Sequence, residues 1–214
     1  MRPWQAAIAV TAVLAAIPFH LAAQQPPPSF TIRLVLPDAD LTPGQAAALK
    51  SEVATIWSPL GLQIVWPRGR RARDQAAADW TVGIDLRDRV PLAAQSAPQP
   101  LGAVAVIDGR MRRTIYVSCG KVRQFVDAAG IRAFDGFYDR LYGRFLGRIV
   151  AHELGHLLLD SVHHRDRGLM RPRFDVRDVR SDAPARYEFD ADDLIALRAR
   201  FAAPLLARSQ SPDE

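Results

Sequence analysis

The chain has 214 residues, about half of them hydrophobic, enough for one core-forming domain or one domain plus a tail. Its 28 basic and 23 acidic residues leave a net charge of +5, and the two signs are interleaved rather than banded, which argues against a nucleic-acid-binding surface. Cys119 is the single cysteine, so an intramolecular disulfide is excluded.

In chain order, residues 1–23 read as a secretory signal. Arg2 supplies the positive start, Ala6 to Phe19 the apolar core, and Leu21-Ala-Ala23 a small-residue cleavage site. The apolar run is short and broken by Pro18, so no stable membrane anchor is expected, and no other segment is apolar enough to span a bilayer. The mature protein is therefore expected to be exported, periplasmic or secreted. Residues 24–29 are a proline-rich, extended lead-in, and a domain is expected over 30–205, followed by a disordered tail at 206–214. So few residues separate the signal from the first strand that no inhibitory prosegment is expected.

Phe30 to Leu36 alternates apolar and polar residues and predicts a strand, ended by Pro37 and Asp38. Thr42 caps a predicted helix that has Pro43 at its first position and runs to Trp57, closed by Gly61. Further strands are predicted at Leu62–Trp66, Trp80–Leu86, Gly102–Ile107 and Thr114–Ser118, the last two joined by the turn signal Asp108-Gly109. Residues 67–79 and 91–100 read as loops, and the basic run Arg68–Arg73 reads as solvated. A short helix is predicted over Val122–Ala129 and a long one over Asp135–Leu159, with Gly143 and Gly147 allowing close approach to the sheet. Phe137, Tyr138, Tyr142 and Phe145 recur at helical spacing and read as packing. Residues 160–187 read as mostly irregular. A last helix is predicted from Asp190 to Ala203, ended by Pro204. The order predicts an α+β domain: a twisted mixed sheet of about five strands backed by helices.

The chemistry is concentrated in one stretch. Outside the signal, every histidine lies between positions 152 and 164: His152, His156, His163 and His164. His152 and His156 are one helical turn apart on one face, a spacing that aims two imidazoles at a common divalent metal. Glu153, on the same helix, is placed to take a proton from water at that metal and pass it to a leaving amine. A catalytic zinc site needs three protein ligands and an open position, so a third ligand must follow. The nearest candidates are His163 and His164.

His152-Glu-Leu-Gly-His156, the late histidine and Met170-Arg-Pro172 together resemble the metzincin zinc peptidases, in particular matrixin-like small bacterial members. The resemblance is specific over about 148–172 and architectural elsewhere. It implies a metzincin-like fold, Zn2+ held by His152, His156 and His164, Glu153 as general base, and Met170 in a tight turn under the metal. It also implies a peptide or protein substrate lying antiparallel to a sheet edge in the 102–118 region. There are two departures. No glycine stands at position 159, and the third histidine comes one or two residues late. Asp160 is the nearest residue that tolerates a left-handed turn, and a turn slipped to that position lengthens the loop before the ligand. Two other readings stand beside this one: a gluzincin-type peptidase with Glu188 as third ligand, and a non-catalytic exported zinc- or partner-binding module. Cys119 reads as a small residue at a strand end, with a latency ligand or an intermolecular bridge as its functional alternatives.

Overall fold

The computed structural model describes residues 30–36, 41–67, 78–90, 100–133 and 136–209. The predicted signal, the lead-in, the run Arg68–Arg73 and most of both predicted loops lie outside these. Among them are strands β1 (Phe30–Val35), β2 (Leu62–Val65), β3 (Trp80–Arg87), β4 (Gly102–Ile107) and β5 (Arg110–Ser118). The helices are α1 (Pro43–Trp57), α2 (Cys119–Ala128), α3 (Tyr138–Leu159), α4 (Val176–Arg180) and α5 (Ala191–Ser209). The five strands form one mixed sheet in the order β2-β1-β3-β5-β4. The first four run parallel, and β4 turns back antiparallel on β5 to become an edge. No helix among the described residues is long and apolar enough to cross a membrane. The architecture is the predicted α+β one.

Local chemistry accounts for the elements. The Thr42 side chain accepts from the Gln45 N–H, and Gln45 bonds back to the Thr42 N–H, a capping box that starts α1. Leu49, Val53 and Trp57 then form its buried stripe. In β1, Phe30, Ile32 and Leu34 alternate inward. Asp108 (φ 53°) and Gly109 (φ 70°) both adopt left-handed conformations, the two-residue hairpin that matches strand twist. The β4–β5 register slips at a bulge between Val104 and Val106, and β5 starts four residues before its predicted start at Thr114. Val104 packs on the main core, while Ala103 and Ala105 join Val90 and Tyr116 on the opposite face.

Helix α3 is buried nearly all round from Leu141 to Leu158, as a central helix must be. It packs on α1, α2, α4, α5 and on strands β4 and β5. Gly143 and Gly147 serve a different neighbour from the one expected. A Cβ on Gly143 would strike the Gln45 carbonyl and lie 2.8 Å from the Ala48 Cβ, and one on Gly147 would lie 2.8 Å from the Leu49 carbonyl. The close approach is to α1, not to the sheet, because the backbones of the two helices nearly touch. The stretch 160–187 is mostly irregular, as expected, interrupted by α4, started by an Asp175–Asp178 capping box, and by a 3-10 turn at Pro184–Tyr187. One other expectation is corrected. The last helix runs through Pro204 to Ser209, since proline removes one backbone bond without reversing the chain's direction.

Gly143→Ala is expected to destabilise the fold by about 2 kcal/mol through overpacking against α1, despite alanine's better helix propensity. Urea denaturation monitored by circular dichroism checks this. An unchanged midpoint would show that the two helices separate without cost.

Candidate metal centre

The last two turns of α3 carry His152, Glu153 and His156, all buried. The helix ends at Asp160, whose left-handed conformation (φ 50°, ψ 44°) reverses the chain. The turn has thus slipped one residue past the position where the resemblance puts glycine. The returning loop brings His164 over the helix. One ligand atom from each of His152, His156 and His164 lies within 4.8 Å of the others. The His164 ring stacks on His152 at 5.3 Å and stands edge-on to His156 at 4.9 Å.

Backbone carbonyls orient the two helical rings. The His152 Nδ1 donates to the Leu169 carbonyl and the His156 Nδ1 to the Ser161 carbonyl, each at 2.7 Å. With both Nδ1 atoms protonated, both Nε2 atoms present lone pairs, and these face each other at 3.1 Å. Two lone pairs at that distance repel unless a cation or proton sits between them. Bonds of about 2.1 Å in a tetrahedral site place ligand nitrogens roughly 3.4 Å apart, so the spacing fits one small divalent metal. Carbonyl acceptors on the far ring nitrogen are the usual support of a metal-binding histidine.

Burial pushes the His152 imidazole down to about 3, reinforced by His156. Burial also lowers His156, and lowers His164 with help from His163. All three rings are therefore neutral near pH 7, the form a metal requires. Burial alone pushes the Glu153 carboxyl up to about 8. Its Oε1 lies against the start of the edge strand: a Cβ on Gly102 would come within 2.7 Å of Glu153 Oε1 and of Ile149 Cγ2.

Met170 is buried under this arrangement, and its sulfur fills the space where a Gly155 side chain would stand. Its turn is held by the Arg165 N–H donating to the Met170 carbonyl at 2.8 Å and the Leu169 N–H donating to the Glu188 carbonyl at 3.0 Å. Gly168 (φ 75°) is pressed on the Glu188 backbone, so only glycine fits there. Among the described residues, the group able to hold a metal does not include His163, which is exposed, or Glu188. Glu188 touches this region through its backbone. A helix-borne Glu ligand would need a helix around it, whereas residue 188 follows a 3-10 turn and precedes α5. Cys119 opens α2 and is half-buried, outside the histidine group.

A polar network that sequence reading passed over locks this region to the helices. Arg148 is 1% exposed. It donates to Glu52 Oε1 at 2.6 Å, to the Ser181 carbonyl at 2.7 Å and to the Asp178 carbonyl, and its guanidinium lies 4.4 Å over the Tyr187 ring. Asp178, fully buried, pairs with Arg171 at 2.6 Å and Arg186 at 2.8 Å. Arg171 in turn donates to the Gly168 and Arg186 carbonyls at 2.7 Å. Burial works against the Asp178 carboxylate, but the Asp175 N–H, Arg171 and Arg186 outweigh it and hold its pKa below the usual value. The capping pattern Asp175-x-x-Asp178 was a usable signal for α4. Nothing in the interleaved arginines marked which would be buried. Gly102 carried a weak signal as well, a glycine opening a strand where another group approaches closely.

A scan against models of protein families finds no match, and no curated protein matches. Four chains among solved structures match. One is archaemetzincin from Methanopyrus kandleri, 13% identical, with 80% of this chain and 95% of that chain covered and a TM-score of 0.46. The likeness extends no further than these figures.

Asp178→Asn is expected to cost about 3 kcal/mol at pH 7, by leaving Arg171 and Arg186 without their buried partner. A lowered carboxylate pKa contributes stability above the unfolded value and loses it as pH falls through the folded one. The gap between variant and wild type should therefore close in acid. Denaturation curves at pH 7 and pH 3 measure it, and a gap of equal size at both would exclude the ion pairs as its source.

Proposed function

We propose that this chain is an exported zinc-dependent endopeptidase of metzincin type, with His152, His156 and His164 as zinc ligands and Glu153 as the general base. The observation that carries the reading is the pair of Nε2 atoms 3.1 Å apart, each ring anchored by a backbone carbonyl, with a third imidazole in reach. Three neutral imidazoles suit catalytic zinc, which would keep a fourth position for water, and no cysteine joins them to make a closed structural site. Zinc bound there would supply a Lewis acid that lowers the pKa of water towards ~7 and polarises a carbonyl.

The chain's own residues do the rest. Glu153, next to His152 on α3, takes the proton from water and delivers it to the leaving amine. Gly102 leaves room for that carboxyl beside β4, so an extended peptide paired along the edge of β4 would bring its backbone next to Glu153. Met170 fills the floor under Gly155 and keeps the site rigid from below. The intact Glu153 speaks against a purely structural or partner-binding zinc module, which needs no base. The export part of the reading stands on Arg2, the apolar run Ala6–Phe19 and Leu21–Ala23.

Glu153→Gln is expected to keep one zinc per chain and to lose peptide hydrolysis by at least a factor of about 100. Metal analysis and digestion of a broad peptide library measure the two properties, and undiminished hydrolysis would defeat the enzymatic reading. In the same assay His164→Ala should strip zinc far more than Glu188→Ala; the opposite order would favour the gluzincin ligand set.

A further inference from the structure

The three histidines are not held alike. His152 and His156 sit on a buried helix, and each has its second ring nitrogen tied to a carbonyl. His164 is exposed and stands on 161–168, a stretch without helix or strand. Something else must fix where that backbone lies. The next residue, Arg165, is bound at both ends. Its N–H donates to the Met170 carbonyl at 2.8 Å. Its guanidinium donates to Asp193 Oδ1 through Nη2 at 2.6 Å and Nε at 3.1 Å, and Nε also lies 3.1 Å from Asp190 Oδ2.

Asp193 is an unusual anchor. Its side chain is 4% exposed, and its other oxygen is buried without a hydrogen-bond partner. A buried carboxylate in that state depends on its cation, because water cannot replace it. Asp193 is itself placed by α5: its N–H donates to Asp190 Oδ1 at 2.8 Å in the helix's first turn. The helix is set in the core by Leu197 and by Phe201, whose ring stacks on Phe30 at 5.1 Å. The third ligand is thus referred to the sheet through α5, in addition to its tie to α3 through the methionine turn.

We infer that Arg165 is a positioning residue for His164, tying the ligand loop to α5 through Asp193 and Asp190 so that the third imidazole is held in place before metal arrives. This rests on the reading of the three histidines as a metal site. It assigns a role to a residue outside the His-Glu-x-x-His motif and its methionine turn.

The test is a cycle of four proteins: wild type, Arg165→Ala, His164→Ala and the double variant. Zinc affinity is measured by competition with a chromogenic chelator, with circular dichroism as a check on folding. Arg165→Ala should weaken zinc binding about tenfold or more, in the range found when partners supporting a metal ligand are removed. On the His164→Ala background the same change should have no further effect, because there is no third imidazole left to place. The visible absorption of the Co2+-loaded Arg165→Ala protein should move towards that of His164→Ala. Arg165→Lys keeps the charge but loses the two-pronged geometry and should fall between wild type and alanine. Should the alanine variant fail to fold, Arg165→Lys and Asp193→Asn carry the same cycle. Wild-type affinity in Arg165→Ala, or an equal loss on both backgrounds, would overturn the inference and leave the metal centre standing. A wild type that takes up no zinc, or a His164→Ala protein that binds it as well as wild type, would overturn both.

Discussion

The hydrogen bonds from two histidine rings to two backbone carbonyls are the constraint on which the site depends. Leu169 and Ser161 lie in the segment that leaves α3, so the rings take their orientation only if that segment returns over the helix. The left-handed Asp160 makes the return possible, and the methionine turn brings the Leu169 carbonyl to His152. Once both Nδ1 protons are committed to carbonyls, both Nε2 lone pairs must point at the same small volume. A cation is the natural partner of that arrangement.

Holding the returning segment in place takes polar contact as well as apolar packing. Met170 and Leu169 are buried, yet the surrounding stretch has little regular structure, and its backbone groups need partners. Arginine side chains supply them. Arg171 donates to two backbone carbonyls, and Arg148 donates to two more while pairing with Glu52 on α1. Guanidinium suits this work because its several donors lie in one rigid plane. The composition, with arginine in place of lysine almost everywhere, is in this region a structural property of the chain and not only a surface one.

The regular elements were legible because their signals are local. Thr42-Pro43, the alternation in β1 and Asp108-Gly109 each specify a backbone state within a few residues, and the structure has those states. The slipped turn at Asp160 was legible for the same reason. Errors came where one signal was allowed to end or omit an element. Pro204 does not stop α5, and the short α4 was passed over in a stretch rich in charge. The packing partner of Gly143 and Gly147 was misjudged because a small residue announces close approach without saying to what.

By itself the sequence determined the chemistry available: two imidazoles one turn apart, a carboxyl between them, further histidines downstream and a methionine beyond. These follow from helical periodicity, which acts over single turns. Only the tertiary structure decided between His164 and His163 as the ring facing the helix, left Glu188 outside the group, set Gly102 against Glu153 and buried Arg148 and Asp178. Those outcomes depend on where a loop, an edge strand and two helices meet. Such meetings are fixed by packing across the whole domain, and no local run of residues encodes them.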